Sequence, residues 1–154
     1  DATVVLQKDG ETRELALSDF YVDYRKTALE PGEFLVRVRI PLPQDGAQVR
    51  GYKVSKRFDQ DISAVCGAFR LDRRGDDVAE VRLGFGGMAA VPKRATYCER
   101  ALAGQAWDED VIRGAAEALA RDFEPISDMR ASAGYRLTVA HPPIESCDQT
   151  NATL

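Results

Sequence analysis

The apolar residues of this chain change their period once, at Pro92, and that change limits the folds open to it. Before Pro92, short runs alternate apolar with polar. From Phe34 to Ile40 the run FLVRVRI sets Phe34, Val36, Val38 and Ile40 on one face and Arg37 and Arg39 on the other. That pattern predicts a half-buried strand, closed by Pro41 and Pro43. Residues 3–7 and 11–17 flank Lys8-Asp9-Gly10, a hairpin signal, and Ser18 is placed to cap a short helical turn at 19–21. Residues 49–56, residues 62–71 (ISAVCGAFRL) and the run VAEVRLGFGGM predict three more strands. Their connections are short enough for antiparallel neighbours. After Pro92, Ala95, Cys98, Ala101 and Leu102 recur at helical spacing, with Pro92 at the first helical position and Gly104 past the end. Asp108, Glu109 and Asp110 open a second helix with an apolar stripe of Val111, Ile112, Ala115, Ala116 and Leu119. Ser127 or Asp128 caps a third over 133–137, stopped by Pro142-Pro143. Strands first and helices after predict an α+β fold: an antiparallel β-sheet followed by about three helices packed on it.

A chain of 154 residues is one domain's worth and buries roughly two-thirds of its unfolded surface without needing disulfides. A net charge of −4 disfavours a nucleic-acid partner. No apolar run reaches the ~20 residues of a membrane span, and no signal peptide is visible. Cys66, Cys98 and Cys147 are unevenly spaced and form no CxxC pair, so reduced thiols and a cytoplasmic location are expected rather than disulfides or a metal site. The chain opens on Asp1, not Met, and is expected to have been cut from something longer. Known nucleophile, metalloprotease and nucleotide-loop motifs are missing, and no catalytic residue is assigned. His141, the lone histidine, stands beside two prolines, where a solvent-exposed role is the simpler reading.

Two stretches carry more information. Gly84-Phe85-Gly86-Gly87-Met88 either lets a backbone approach a ligand or marks the bulge where a strand turns toward a helix. Residues 52–65, YKVSKRFDQDISAV, crowd Lys53, Lys56, Arg57, Asp59 and Asp61 between two strands. Asp59 and Asp61 lack the contrasting environments that paired acid–base catalysis requires. The loop is either a charged hairpin tip or a surface that meets an anionic or planar polar cofactor.

The segments KTALEPGEFLVRVRIP, YKVSKRFDQDISAVCGAF, LGFGGMAAVPKRA and SDMRASAGYRL, taken together, resemble the FAD-binding subunits of molybdenum hydroxylases. Within that family the resemblance is to the small subunit of bacterial xanthine dehydrogenases, over Asp1 to about residue 140. It implies a parent oxidoreductase that passes electrons from a molybdenum centre through [2Fe–2S] clusters to FAD and then to NAD during purine hydroxylation. It further implies a molybdenum-binding large subunit as partner, with the main FAD-gripping domains on segments not present here. Residues 1–30 would be the remnant of the preceding FAD-binding subdomain, residues 31–140 the C-terminal domain, and residues 141–154 an atypical tail. In that tail HPPIESCDQTNATL replaces the expected continuing helix. Carried over position by position, the resemblance puts Val36, Lys53, Arg57, Asp61 and Ile62 at the flavin. Phe58 and Gln60 depart from the family pattern, which leaves the tuning of the flavin open. The alternatives are the flavin subunit of a carbon monoxide dehydrogenase or aldehyde oxidase, and a non-catalytic domain that self-associates.

Overall fold

Asp9 and Gly10 both hold positive φ, 51° and 87°, the pair of left-handed residues that a two-residue hairpin demands. The turn joins β1 (Thr3–Lys8) to β2 (Glu11–Ala16), with Lys8 opposite Glu11. This computed structural model describes residues 1–58 and 60–145 and divides into two units, one of residues Asp1–Gln44 and one from Asp45 onward. After the hairpin come the short helix α1 (Leu17–Phe20), the short strands β3 (Tyr21–Asp23) and β4 (Lys26–Thr27), and then β5 (Phe34–Arg39). Strand β5 pairs antiparallel with β1, giving the order β2-β1-β5. Arg13 pairs with Glu33 through two nitrogens at 2.6 and 2.7 Å, tying the β4–β5 connection to the hairpin.

Three sequence expectations change here. Every residue of β5 is exposed, where its alternation pointed to a buried face. The first unit has only the four-residue α1 to cover three strands, and its core forms from Val4, Leu6 and Phe20 on the strands and helix that come before β5. The first unit also extends to Gln44, not residue 30, because β5 belongs to the sheet of β1. Ser18 lies inside α1, whose N-cap is Ala16.

The second unit is α+β as expected. Strands β6 (Gln48–Val54), β7 (Val65–Arg74), β8 (Asp77–Gly86) and β9 (Lys93–Arg94) form an antiparallel sheet in that order. Alternate side chains, including Phe69, Leu71, Val81, Leu83 and Phe85, are buried. They pack with the helices α2 (Thr96–Leu102), α3 (Glu109–Glu117), α4 (Leu119–Asp122), α5 (Ala133–Ala140) and α6 (Pro142–Glu145). A train of rings, Tyr52, Phe69, Phe85 and Phe123, runs through this core with centroids 5.1 to 5.4 Å apart.

The helix ends show which signals were local. Gly104 sits at φ 74° just beyond α2, as the sequence predicts, and the acids expected to open α3 do so, with Asp108 just outside it as the cap that accepts the Val111 amide at 2.9 Å. Helix α2, however, starts at Thr96 and not at Pro92. Its cap is the buried carboxylate of Asp122, which accepts the amides of Tyr97 at 2.9 Å and Cys98 at 3.0 Å. The cap of α5 is Ser132, while Ser127 accepts the Ala133 amide at 2.9 Å. The prolines at 142 and 143 end α5 but begin the short α6, whose Ile144 is fully buried. Asp59, Cys147 and the rest of the tail from 146 lie outside the described residues. No helix among the described residues is long and apolar enough to cross a membrane.

Candidate functional site

The candidate loop, residues 55–64, leaves the end of β6 and returns at the start of β7. These two strands pair from Gln48↔Leu71 to Val54↔Val65, so both ends of the loop are pinned. Lys53 lies on the exposed side of β6, opposite Cys66. Inside the loop the Asp61 carboxylate accepts the amides of Arg57 and Ile62, each at 3.0 Å. The Arg57 guanidinium stands 3.4 Å from both Asp61 and the Gln60 carbonyl oxygen, and Gln60 takes φ 50° to allow this closure. The Arg57 backbone amide, helped by its guanidinium and the Ile62 amide, holds the Asp61 carboxyl below its ordinary range against some desolvation. Asp61 is therefore a fixed negative charge, and Arg57 a largely exposed positive one beside it.

The predicted site residues fall into two groups. Arg57, Asp61 and Ile62 share this loop, with Lys53 on the strand leading into it. Val36 lies on β5 in the first unit, 45% exposed rather than part of a core. Ile62 does not begin β7, which starts at Val65; it is in the loop and 65% exposed.

The sequence did not reveal what anchors the loop. Lys56 donates to the Met129 carbonyl at 2.6 Å. Ala64, at the loop's far end, donates to the Val54 carbonyl at 2.7 Å and accepts from the guanidinium of Arg136. Arg136 is 3% exposed and also reaches the Gly87 carbonyl at 2.8 Å and Asp128 at 2.6 Å. Gly87 holds φ 82°, and a Cβ there would lie 2.4 Å from the Ala64 oxygen. The glycine run is thus the exit of β8, shaped by a close backbone approach. A cleft of about 390 Å³ opens between the loop and the 128–135 segment, lined by Ser55, Lys56, Met129, Arg130, Ser132 and Tyr135 among others. The available signal was Arg136, the one charged residue in helix α5.

Residues 50–143 match the family described as CO dehydrogenase flavoprotein C-terminal domain. The chain belongs to that family. Residues 1–43 match a second family, described as FAD binding domain in molybdopterin dehydrogenase, and the two matches lie on either side of the point where the structure itself divides. Among relatives of this flavoprotein-family chain, nicotinate hydroxylase of Emericella nidulans is 37% identical over 145 residues, covering 90% of the chain and 11% of that protein. Xanthine dehydrogenase of the same organism is 36% identical over 126 residues, covering 80% and 9%. A solved carbon monoxide dehydrogenase from Hydrogenophaga pseudoflava superposes with a TM-score of 0.88 at 25% identity, over 95% of the chain and 50% of that chain. The chain therefore spans about a tenth of the two fungal enzymes and half of the matched bacterial chain.

Proposed function

We propose that this chain is the flavin-facing portion of the FAD-carrying part of a xanthine dehydrogenase-type molybdenum hydroxylase. In this reading the parent protein passes electrons from a purine oxidised at molybdenum, through [2Fe–2S] clusters, to FAD and on to NAD in the cytoplasm. The molybdenum site and the clusters reside on a large subunit and on segments beyond this chain. The observation that carries the reading is the pair of family matches, in order, on either side of the structural division, with the charged loop inside the second.

The residues present fit one edge of a flavin. Arg57 and Lys53 are exposed cations for the ring's carbonyl and nitrogen edge, Ile62 is an exposed apolar group for its face, and Asp61 is a fixed counter-charge. They do not make a diphosphate cradle, which needs free backbone amides. In this loop the amides of Arg57 and Ile62 are already held by Asp61. FAD, when bound, supplies the two-electron chemistry. What this chain supplies is the local field: a guanidinium favours the more negative reduced ring, and a carboxylate opposes it. The isolated chain accordingly binds FAD weakly or not at all.

The test is redox titration of the complete flavoprotein. Arg57→Ala is expected to lower the flavin midpoint potential by roughly 20–40 mV, the two-electron equivalent of a unit charge at about 10 Å in an intermediate dielectric. Lys53→Ala is expected to shift it the same way or to reduce flavin content. Unchanged potential and content in both variants would remove the loop from the flavin. The likeness to the carbon monoxide dehydrogenase fold supports a second reading, a carbon monoxide dehydrogenase or aldehyde oxidase flavin subunit, which differs only in the substrate met elsewhere. The exposed apolar residues of β5 favour a third, a self-associating domain, which sedimentation would reveal as a concentration-independent dimer of this chain.

A further inference from the structure

Among the described residues, loop 55–64 buries no large apolar side chain: Phe58 and Ile62 are exposed, and only Ala64, next to the start of β7, is buried. Its position is set by polar contacts, and those of the described residues that leave the loop and its flanking strands run to one place. At the near end Lys56 donates to Met129. Met129 lies in a turn built by Asp128, whose carboxylate accepts the amides of Arg130 at 2.9 Å and Ala131 at 3.1 Å, and whose own amide donates to the Ala131 carbonyl at 3.0 Å. The same carboxylate receives Arg136, and Arg136 holds the loop's far end through the Ala64 carbonyl. A continuous chain of bonds therefore runs Lys56, Met129, Asp128, Arg136, Ala64. Room for the guanidinium is kept by Gly87, where a Cβ would stand 3.1 Å from it.

We propose that the Asp128–Arg136 pair is a positioning element that clamps both ends of loop 55–64, fixing where Arg57 and Asp61 stand and so setting the flavin's potential without touching the flavin. The proposal rests on the reading that this loop faces the flavin. A buried charged pair can fix a geometry that apolar residues of the same volume would not. Here those acceptors belong to the loop end, to the exit of β8 and to the turn that receives Lys56. The Asp128 carboxyl, held at about 2 chiefly by the Arg130 amide, stays ionised across the working range of pH and keeps its bond to the buried Arg136 guanidinium charge-assisted.

The experiment uses the complete FAD-loaded flavoprotein, with hydrogen exchange of the peptide covering 55–64 and the flavin potential read together. Lys56→Met, at an exposed position, leaves the fold and flavin content intact. It is expected to speed exchange of that peptide about tenfold and to shift the potential, and Lys56→Arg, still a donor, restores both. Arg136→Lys, with folding checked by its far-UV circular dichroism, is expected to give the same exchange increase, and unchanged exchange in the folded variant overturns the pair's role as the clamp. In an Arg57→Ala background the Lys56→Met potential shift is expected to shrink to less than half, because the clamp acts through Arg57. Full persistence of the shift there means that the Lys56 charge acts directly and overturns the proposal, as does unchanged exchange in Lys56→Met. If Arg57→Ala alone leaves the potential untouched, the flavin reading falls and takes the tuning role with it. A shifted Arg57→Ala potential with unchanged Lys56→Met exchange sinks the clamp alone.

Discussion

Asp128 holds its charge well below the ordinary carboxylate range because donors from Arg130, Ala131 and Arg136 converge on one carboxylate. The amide of Arg130 contributes most, then the amide of Ala131 and the Arg136 guanidinium, and together they outweigh desolvation to bring its carboxyl to about 2. In the other unit Glu33 is likewise lowered to about 2, first by the Arg13 guanidinium and then by the Glu30 amide. A carboxyl depressed in the folded state stabilises above its unfolded value, near 4, and that contribution is lost as pH falls toward the folded value. Urea unfolding followed from pH 5 to pH 2 is therefore expected to show a falling midpoint, and Asp128→Asn is expected to flatten the fall over that window. A slope unchanged by Asp128→Asn would show that the carboxylate contributes nothing net. Cys98 runs the other way. Burial, then the nearby Asp122 and Glu99 carboxylates, push its thiol up to about 12. Its stabilising contribution is complete below the unfolded thiol value, near 8.5, and fades as pH climbs toward 12. At neutral pH that thiol is neutral and shielded, so a thiol reagent on the native protein is expected to modify exposed Cys66 and leave Cys98 untouched.

Among the elements, what the sequence disclosed was what local chemistry decides. The hairpin at Asp9-Gly10 needs two left-handed residues, and the cap of α3 needs a carboxylate three residues before Val111; both requirements are written within four residues. Of the stripe Val111, Ile112, Ala115, Ala116 and Leu119 expected on one helix, all but the partly buried Val111 are buried, across the two helices α3 and α4. The start of α2 could not be read, because its cap, Asp122, arrives from a distant helix. Nor could the loop clamp, since nothing local tells Arg136 that its partners will be Ala64 and Gly87. The sequence showed both signs of charge crowded in this loop, but not that Arg57 and Asp61 would close on each other over four residues. Strand β5 shows the limit most plainly: alternation announces an amphipathic strand but not whether any layer will cover it. The two cases predict opposite energetics. Leu119 is fully buried, and Leu119→Ala is expected to cost about 2–5 kcal/mol in denaturant unfolding. Val38 is 44% exposed, and Val38→Ala is expected to cost less than about 1 kcal/mol in this chain. A large loss at Val38 would mean that β5 is covered in solution.

At the scale of the molecule, the two units are unequal in what they bury. The second carries one continuous cluster from Val65 to Ile144, spanning the inner face of its sheet and contributions from α2 through α6. The first carries Val4, Leu6 and Phe20, with Leu15 and Leu17 alongside. A domain of about 40 residues cannot bury enough apolar surface to offset the entropy of ordering its chain without disulfides, metals or a partner, whereas one above about 100 residues can. The division at Gln44 also falls in the gap between the two family matches, so cutting there severs no strand pairing. Residues 45–154 made alone are therefore expected to fold, with a cooperative thermal transition and dispersed amide resonances like those of the same residues in the whole chain. Residues 1–44 made alone are expected to lack both, although the Asp9-Gly10 turn leaves a transient hairpin. The contrast depends on the clusters being separate. If residues 45–154 melt without cooperativity, or only when residues 1–44 are added back, the larger core is not self-sufficient, and the boundary drawn by the β5–β1 pairing is not a boundary of stability.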